Sequence, residues 1–200
     1  GLRRDHVEGG GDIAESADGC GVHDVTAAPA DLVPDVLETG LSVVFCGTAL
    51  GAASYEKRAY YAKPGNRFWP TLHEIGLTPR RLAPEEFPTV TEYGIGLTDV
   101  CKSAWGQDAD LASGDFDPGA LRRKITEFAP RYLAFTSKRA AAEFLGRPVD
   151  YGLLMDRIEE TRVFVLPSTS GLATRFWDIS HWQDLADLVF PRPGSAKRLS

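Results

Sequence analysis

The sequence predicts an α/β domain of three layers, α/β/α, around a central, mainly parallel four-stranded sheet. Two observations carry this. Short apolar runs recur along the chain, and segments with helical spacing separate them. Alternation of that kind builds βαβ units, whose crossovers place helices on both faces of a parallel sheet.

The first run is LSVVFC (Leu41–Cys46), continuous rather than alternating, as a strand buried on both faces reads. Asn66–Gly76 (NRFWPTLHEIG) spaces Phe68, Trp69, Leu72 and Ile75 as a helix would, with Asn66 as N-cap and Gly76 as stop. Pro70 falls in its first turn, where proline is tolerated. GIGLTDV (Gly94–Val100) is the second strand. Pro118–Phe128 is an amphipathic helix with Leu121, Ile125 and Phe128 inward. RYLAFT (Arg131–Thr136) is the third strand, followed by a helix over Lys138–Leu145. TRVFVL (Thr161–Leu166) is the fourth, and Ile179–Phe190 closes the chain as a helix. Ala30–Glu38 reads as a short helical lead-in.

The chain has 200 residues, 43% hydrophobic and 25% charged, which suits one globular domain and excludes fibrous or wholly disordered classes. No apolar stretch is long enough to span a bilayer. The first residues lack the apolar core of a secretory signal. Three widely spaced cysteines, Cys20, Cys46 and Cys101, argue against a disulfide framework and for a reducing, cytoplasmic setting. They also argue against a four-cysteine metal site. His73 and His181 have no metal-ligand spacing, and no cofactor is expected.

The net charge of −6 is unevenly spread: residues 1–39 hold nine acids against two bases, leaving residues 40–200 at +1. Residues 1–32 read as a flexible acidic tail and 33–200 as a single domain. The near-neutral body neither forbids nor demands a nucleic-acid partner.

In sheets of this kind ligands sit beyond the carboxyl ends of the strands. The segments there are GTALGAAS (Gly47–Ser54) with YYAKPGNRFW (Tyr60–Trp69), TDVCKSAW (Thr98–Trp105), SK (Ser137–Lys138) and LPSTSGLATRFW (Leu166–Trp177). None is a dinucleotide fingerprint, a Walker loop or a hydrolase nucleophile elbow.

Five blocks in order, VPDVLETGLSVVFCGTALG, YYAKPGNRFWPTLHEIGLTP, YGIGLTDV, FTSKRA and VLPSTSGL, resemble the uracil-DNA glycosylase superfamily over residues 33–190. The wording resembles most the mismatch-specific uracil/thymine-DNA glycosylase branch. YYAKPGNRFW and LPSTS also resemble the hypoxanthine-DNA glycosylase branch.

The resemblance implies a monofunctional glycosylase of base excision repair, acting as a monomer on DNA with a deaminated base or abasic site. Such an enzyme flips uracil, or hypoxanthine or xanthine, into a pocket and hydrolyses its glycosidic bond. A protein that binds abasic or flipped-base DNA with little turnover is the alternative.

By the resemblance, Tyr61 stacks on the flipped base; a core tyrosine under the loop is the competing role. Gly47, Thr48 and Ala49 line the base with backbone groups, and Ser54 sets a hydroxyl near its edge. The mismatch-specific branch usually carries Gly-Ile-Asn-Pro-Gly, whose asparagine positions water. Here Gly47-Thr48-Ala49-Leu50-Gly51 replaces it, and Ala49 has no polar side chain. Asp99 is the candidate to act in its place, with Lys102 as partner; a capping or ion-paired aspartate is the other reading.

Ser168 stands where other branches have Asn or His against the leaving base. Ser170 and Lys138 match phosphate contacts, although a solvated lysine would serve equally at 138. Leu172, after Gly171, matches the wedge that fills the vacated stack, with Arg175 beside it.

Overall fold

The computed structural model describes residues 31–191. The strands are β1 (Val43–Gly47), β2 (Ile95–Asp99), β3 (Tyr132–Phe135), β4 (Gly152–Ile158) and β5 (Thr161–Val165). The helices are α1 (Ala52–Lys57), α2 (Phe68–Glu74), α3 (Pro118–Phe128), α4 (Lys138–Leu145) and α5 (Ile179–Val189). Short 3-10 segments cover Pro84–Tyr93 and Gly171–Phe176.

The sheet has order β2-β1-β3-β5-β4. The first four of these are parallel, and β4 runs antiparallel to β5 at the edge. The winding reverses around β1, with β2 on one side and β3 on the other. That places the ligand crevice at the carboxyl end of β1.

Side-chain alternation divides the core. Val43, Phe45, Ile95, Leu97 and Phe164 face the layer of α2 and α5, where Phe68, Leu72 and Trp182 meet them. Val44, Cys46, Leu133, Val163 and Val165 face α3 and α4 through Leu121, Ile125 and Phe144. β1 is buried along its whole length, which explains its unbroken apolar sequence.

Two expectations are corrected. The sheet has five strands rather than four, because β4 is half exposed along its length and leaves Met155 open to solvent. A solvent-facing edge strand carries no buried run to read. Residues 31–38 form no helix. Val36 forms an antiparallel bridge with Leu97, its N–H and carbonyl both bonded at 2.9 Å. Pro34 explains this: it has no N–H and biases residue 33 toward extended backbone. The bridge also needs Gly96, where a Cβ would lie 2.7 Å from the Val36 carbonyl.

The first 30 residues of the acidic segment lie outside the described residues. Leu32 packs against the core, and Asp31 reaches Lys124 at 3.9 Å. Among the described residues, no helix is long and apolar enough to cross a membrane.

Candidate active site

The carboxyl ends of β1 and β2 lie in register, Gly47 opposite Asp99. Continuing the alternation, both point toward the α2 and α5 layer. The place a Cβ would occupy on Gly47 is taken by Asp99 Oδ1, with the Tyr61 hydroxyl 3.4 Å away. Glycine is required here because the neighbouring carboxylate uses the space.

Asp99 is buried, and its Oδ2 has no hydrogen-bond partner among the described residues. Burial pushes its carboxyl up to about 7, against Lys102; Asp35 and Asp31 add to the rise, and Lys124 opposes it. A carboxylate that titrates near neutrality and keeps an unused oxygen is suited to accept a proton.

Tyr61 stacks on Phe68, centroids 3.8 Å apart and planes at 16°. Its hydroxyl lies 3.2 Å from Thr136 Oγ1, just past the end of β3. Burial, reinforced by Asp99, holds that hydroxyl well above its usual range, so it stays protonated. Tyr61 adopts φ 52°, a region costly for a bulky residue. Bonds on both sides hold it there. Trp69 Nε1 donates to the Tyr60 carbonyl at 3.0 Å, and Ala62 N donates to Ser54 Oγ at 3.0 Å. Ser54 is thus committed to shaping the loop, with its hydroxyl buried. One face of the Tyr61 ring is covered by Phe68, and Tyr61 also lines a surface cleft.

The remaining turn residues are tied inward. The Gly47 and Thr48 carbonyls accept from Val100 N and Cys101 N at 3.0 and 2.9 Å. Thr48 Oγ1 lies 3.1 Å from Ser137 Oγ, the cap of α4. Ala49 packs against the cluster on the α3 and α4 side.

After β5, Ser168 Oγ accepts from Ser170 N at 3.2 Å, which leaves the Ser168 hydroxyl proton free to be donated elsewhere. Ser170 caps the following turn by accepting from Leu172 N at 3.3 Å. Leu172 is 69% exposed, and Arg175 is exposed beside it. Thr169 O accepts from Arg67 N at 2.9 Å, and Gly171 approaches the Gly65 carbonyl, so this loop lies against the 62–67 loop.

Lys138 opens α4 but is not a free cation: it pairs with Asp150 at 3.2 Å and lies over the Tyr151 ring. Asp150 stands where the sequence suggests a phosphate. Because Asp150 is 98% exposed, another anion can displace it at small cost.

Lys102 does not bind Asp99. It donates to Val33 O at 2.7 Å and to the Tyr60 hydroxyl at 2.8 Å, and pairs with Asp35 at 2.9 Å. Asp35 also takes Thr98 Oγ1 at 2.8 Å and Lys124 at 2.5 Å. Tyr60 serves this network rather than the site's surface, a structural part.

Sequence reasoning missed Asp35, which sits in a segment that reads as a helical lead-in, and Thr136, a commonplace strand-end residue. It also missed a cleft of about 380 Å³ beside Tyr61, whose charged lining is Lys57, Lys63 and Arg81. None of the three has an ion pair among the described residues, whereas the adjacent Arg80 is held by Glu86.

Residues 34–186 match the family model described as the uracil DNA glycosylase superfamily. The chain belongs to the uracil DNA glycosylase superfamily. A solution structure of a candidate uracil DNA glycosylase from Methanosarcina acetivorans shares the fold, with TM-score 0.55 and 24% identity. The match covers 78% of this chain and 96% of that one. Superfamily membership supports a DNA glycosylase role, a hydrolase of base excision repair acting on DNA. For a uracil-DNA-glycosylase-fold chain, the grouping of Gly47, Asp99, Tyr61 and Thr136 lies where α/β sheets of this winding bind ligands.

Proposed function

We propose that this glycosylase excises a deaminated base, uracil foremost and hypoxanthine or xanthine as further substrates, with Asp99 as the group that takes a proton from water. The observation that carries the reading is the buried, half-unpartnered Asp99 carboxyl, titrating at about 7 beside Gly47 and Tyr61.

In the proposed reaction the base is extruded from the stack. The bond from the sugar carbon to the base nitrogen breaks, and its electron pair leaves with the base. Water oxygen bonds to that carbon and gives its proton to Asp99. The ionised carboxylate also stabilises the positive charge that develops on the sugar. Ser168, whose oxygen accepts from Ser170 N, directs its own proton to the departing base. Tyr61 offers the ring face not covered by Phe68, and Leu172 fills the vacated stack. Lys57, Lys63 and Arg81 set positive charge along the approach of the strand.

Ala49 supports a second reading. Its methyl packs inward where the mismatch-specific branch has a water-holding asparagine, so a protein that binds damaged DNA and turns over little is the competitor. One experiment separates them: base release from labelled oligonucleotides carrying uracil or hypoxanthine, single-stranded and paired, with alkali cleavage at the abasic site. Repeated turnover on either base supports the glycosylase. Retardation of abasic DNA without release overturns it in favour of the binding protein.

A further inference from the structure

Two ammonium groups lie close enough to Asp99 to act on it electrostatically, yet neither is bonded to it. Lys102 is held by Val33 O, the Tyr60 hydroxyl and Asp35 Oδ1, at 2.7, 2.8 and 2.9 Å. Lys124, reaching across from α3, is held by Asp35 Oδ2 at 2.5 Å. One carboxylate therefore uses both oxygens to hold two cations. Thr98 Oγ1 braces Oδ1 at 2.8 Å from the residue preceding Asp99. Asp35 itself is held in place by Val36, whose backbone bridges Leu97 on β2.

Asp99 lines a cleft of about 290 Å³ together with Asp31, Lys102, Asp115, Asp117 and Lys124. The Tyr61 and Tyr60 hydroxyls and the Cys46 thiol also lie near enough to Asp99 to interact with it. Burial pushes all three upward, so they are neutral at working pH. The charge balance felt by Asp99 is thus set by Lys102 and Lys124 against Asp35 and Asp31. Burial would raise Asp35, but the two lysines outweigh it and keep Asp35 ionised.

We propose that Asp35 is a positioning residue for catalysis: by clamping Lys102 and Lys124 it keeps both ammonium groups off the Asp99 carboxylate, which stays free to take a proton from water. An ion pair to Lys102 would occupy the oxygen that now has no partner. It would also make Asp99 a weaker base, since a neighbouring cation favours the ionised form. The clamp rests on the catalytic role given to Asp99 above.

The test is a pair of variants with opposite expected signs. Asp35→Asn removes the anion and frees the lysines, so the acid limb of the single-turnover pH–rate profile moves down by about one pH unit. Lys102→Met removes a cation while Asp35 keeps Lys124, so the limb moves up. Combining the two returns the limb toward wild type. A purely structural role would lower the rate without moving the limb.

Carbon NMR titration of the Asp99 carboxyl in DNA-free protein reads the same changes without catalysis. If wild type releases no base, the glycosylase reading fails while this titration still tests the clamp. Should Asp35→Asn not fold, Asp35→Ser takes its place, with the same downward movement expected. A midpoint for Asp99 that is unchanged, or that moves down in Lys102→Met, overturns the proposal.

Discussion

Asp99 Oδ1 occupies the space that a side chain on Gly47 would need, and the Tyr61 hydroxyl closes that space from the other side. A strand residue, its register partner and a loop tyrosine thus fix one another. Gly47→Ala forces the buried carboxyl to shift away from its place beside Tyr61, toward the cleft it lines with Lys102 and Lys124. The expected cost is about 1–3 kcal/mol, as for other overpacked cores. Base release should fall further than stability alone explains. Urea unfolding midpoints compared with single-turnover rates check this, and a Gly47→Ala protein of full activity would show that the carboxyl's position is not critical.

Asp99 should make activity and stability pull in opposite directions. In the folded protein its carboxyl titrates at about 7, above the ordinary 3.8, so the folded chain holds an extra proton between those limits. The stability due to this group is present in full below pH about 4 and is lost as pH rises through 7. Asp99→Asn is free of that loss. Relative to wild type it should be more stable above neutrality and no more stable near pH 4. The gain should reach a few kcal/mol, because each pH unit separating the folded and unfolded titrations is worth about 1.4 kcal/mol. The variant should release base at least about 100-fold more slowly. Denaturant midpoints at about pH 4.5 and about pH 8, either side of the transition, check the first expectation. Labelled-oligonucleotide assays check the second.

Tyr61 has separable parts. Tyr61→Phe loses only the hydroxyl contact with Thr136 and keeps the stack on Phe68, so it should cost about 1 kcal/mol and retain most base release. Tyr61→Ala removes the ring, uncovers Phe68 and leaves a left-handed alanine held only by the bonds at Tyr60 and Ala62. Its stability should drop by about 3 kcal/mol or more, with base release lost. Equal activity for Phe and Ala variants would exclude a stacking role for the ring.

What could be read from the sequence follows the physics of burial. β1, β2, β3 and β5 announce themselves because strands covered on both faces carry runs of apolar residues. β4 does not, since Leu153 and Met155 face solvent on an edge. The site divides the same way. Gly47, Tyr61 and Asp99 lie in short segments just after strands, and topology alone draws attention there. Asp35 comes from a stretch more than 60 residues away in sequence, and only the Val36–Leu97 bridge brings it to Thr98. Spacing pairs Lys102 with the nearest acid in sequence, Asp99. Its true partner is decided by tertiary placement, which spacing does not encode.

Leu172 should matter to DNA and hardly at all to folding. At 69% exposure, truncation to alanine removes little buried area, so Leu172→Ala should change stability by no more than about 0.5 kcal/mol. If the side chain fills the gap left by an extruded base, the variant should lose excision from paired substrates at least several-fold and lose less from single strands, which have no stack to fill. The ratio of the two rates measures this. A variant unaffected on duplex DNA would remove Leu172 from the interface.

The cations around the cleft beside Tyr61 give a prediction that can be read in salt dependence. Lys57, Lys63 and Arg81 have no ion pair among the described residues, and the cleft they line holds no acid. Each phosphate contact releases counterions, so log K falls with log[salt] by about 0.9 per contact on duplex DNA and about 0.7 on single strands. Changing all three to glutamine should flatten that slope by up to about 2–3 and weaken binding at low salt far more than at high salt. The triple variant should fold normally, because none of the three is bonded into the core. Its single-turnover rate at saturating protein should match wild type, because none of the three touches Asp99. An unchanged slope would place the strand elsewhere, toward Arg175 and Lys138, where the same measurement on Arg175→Gln would then find it.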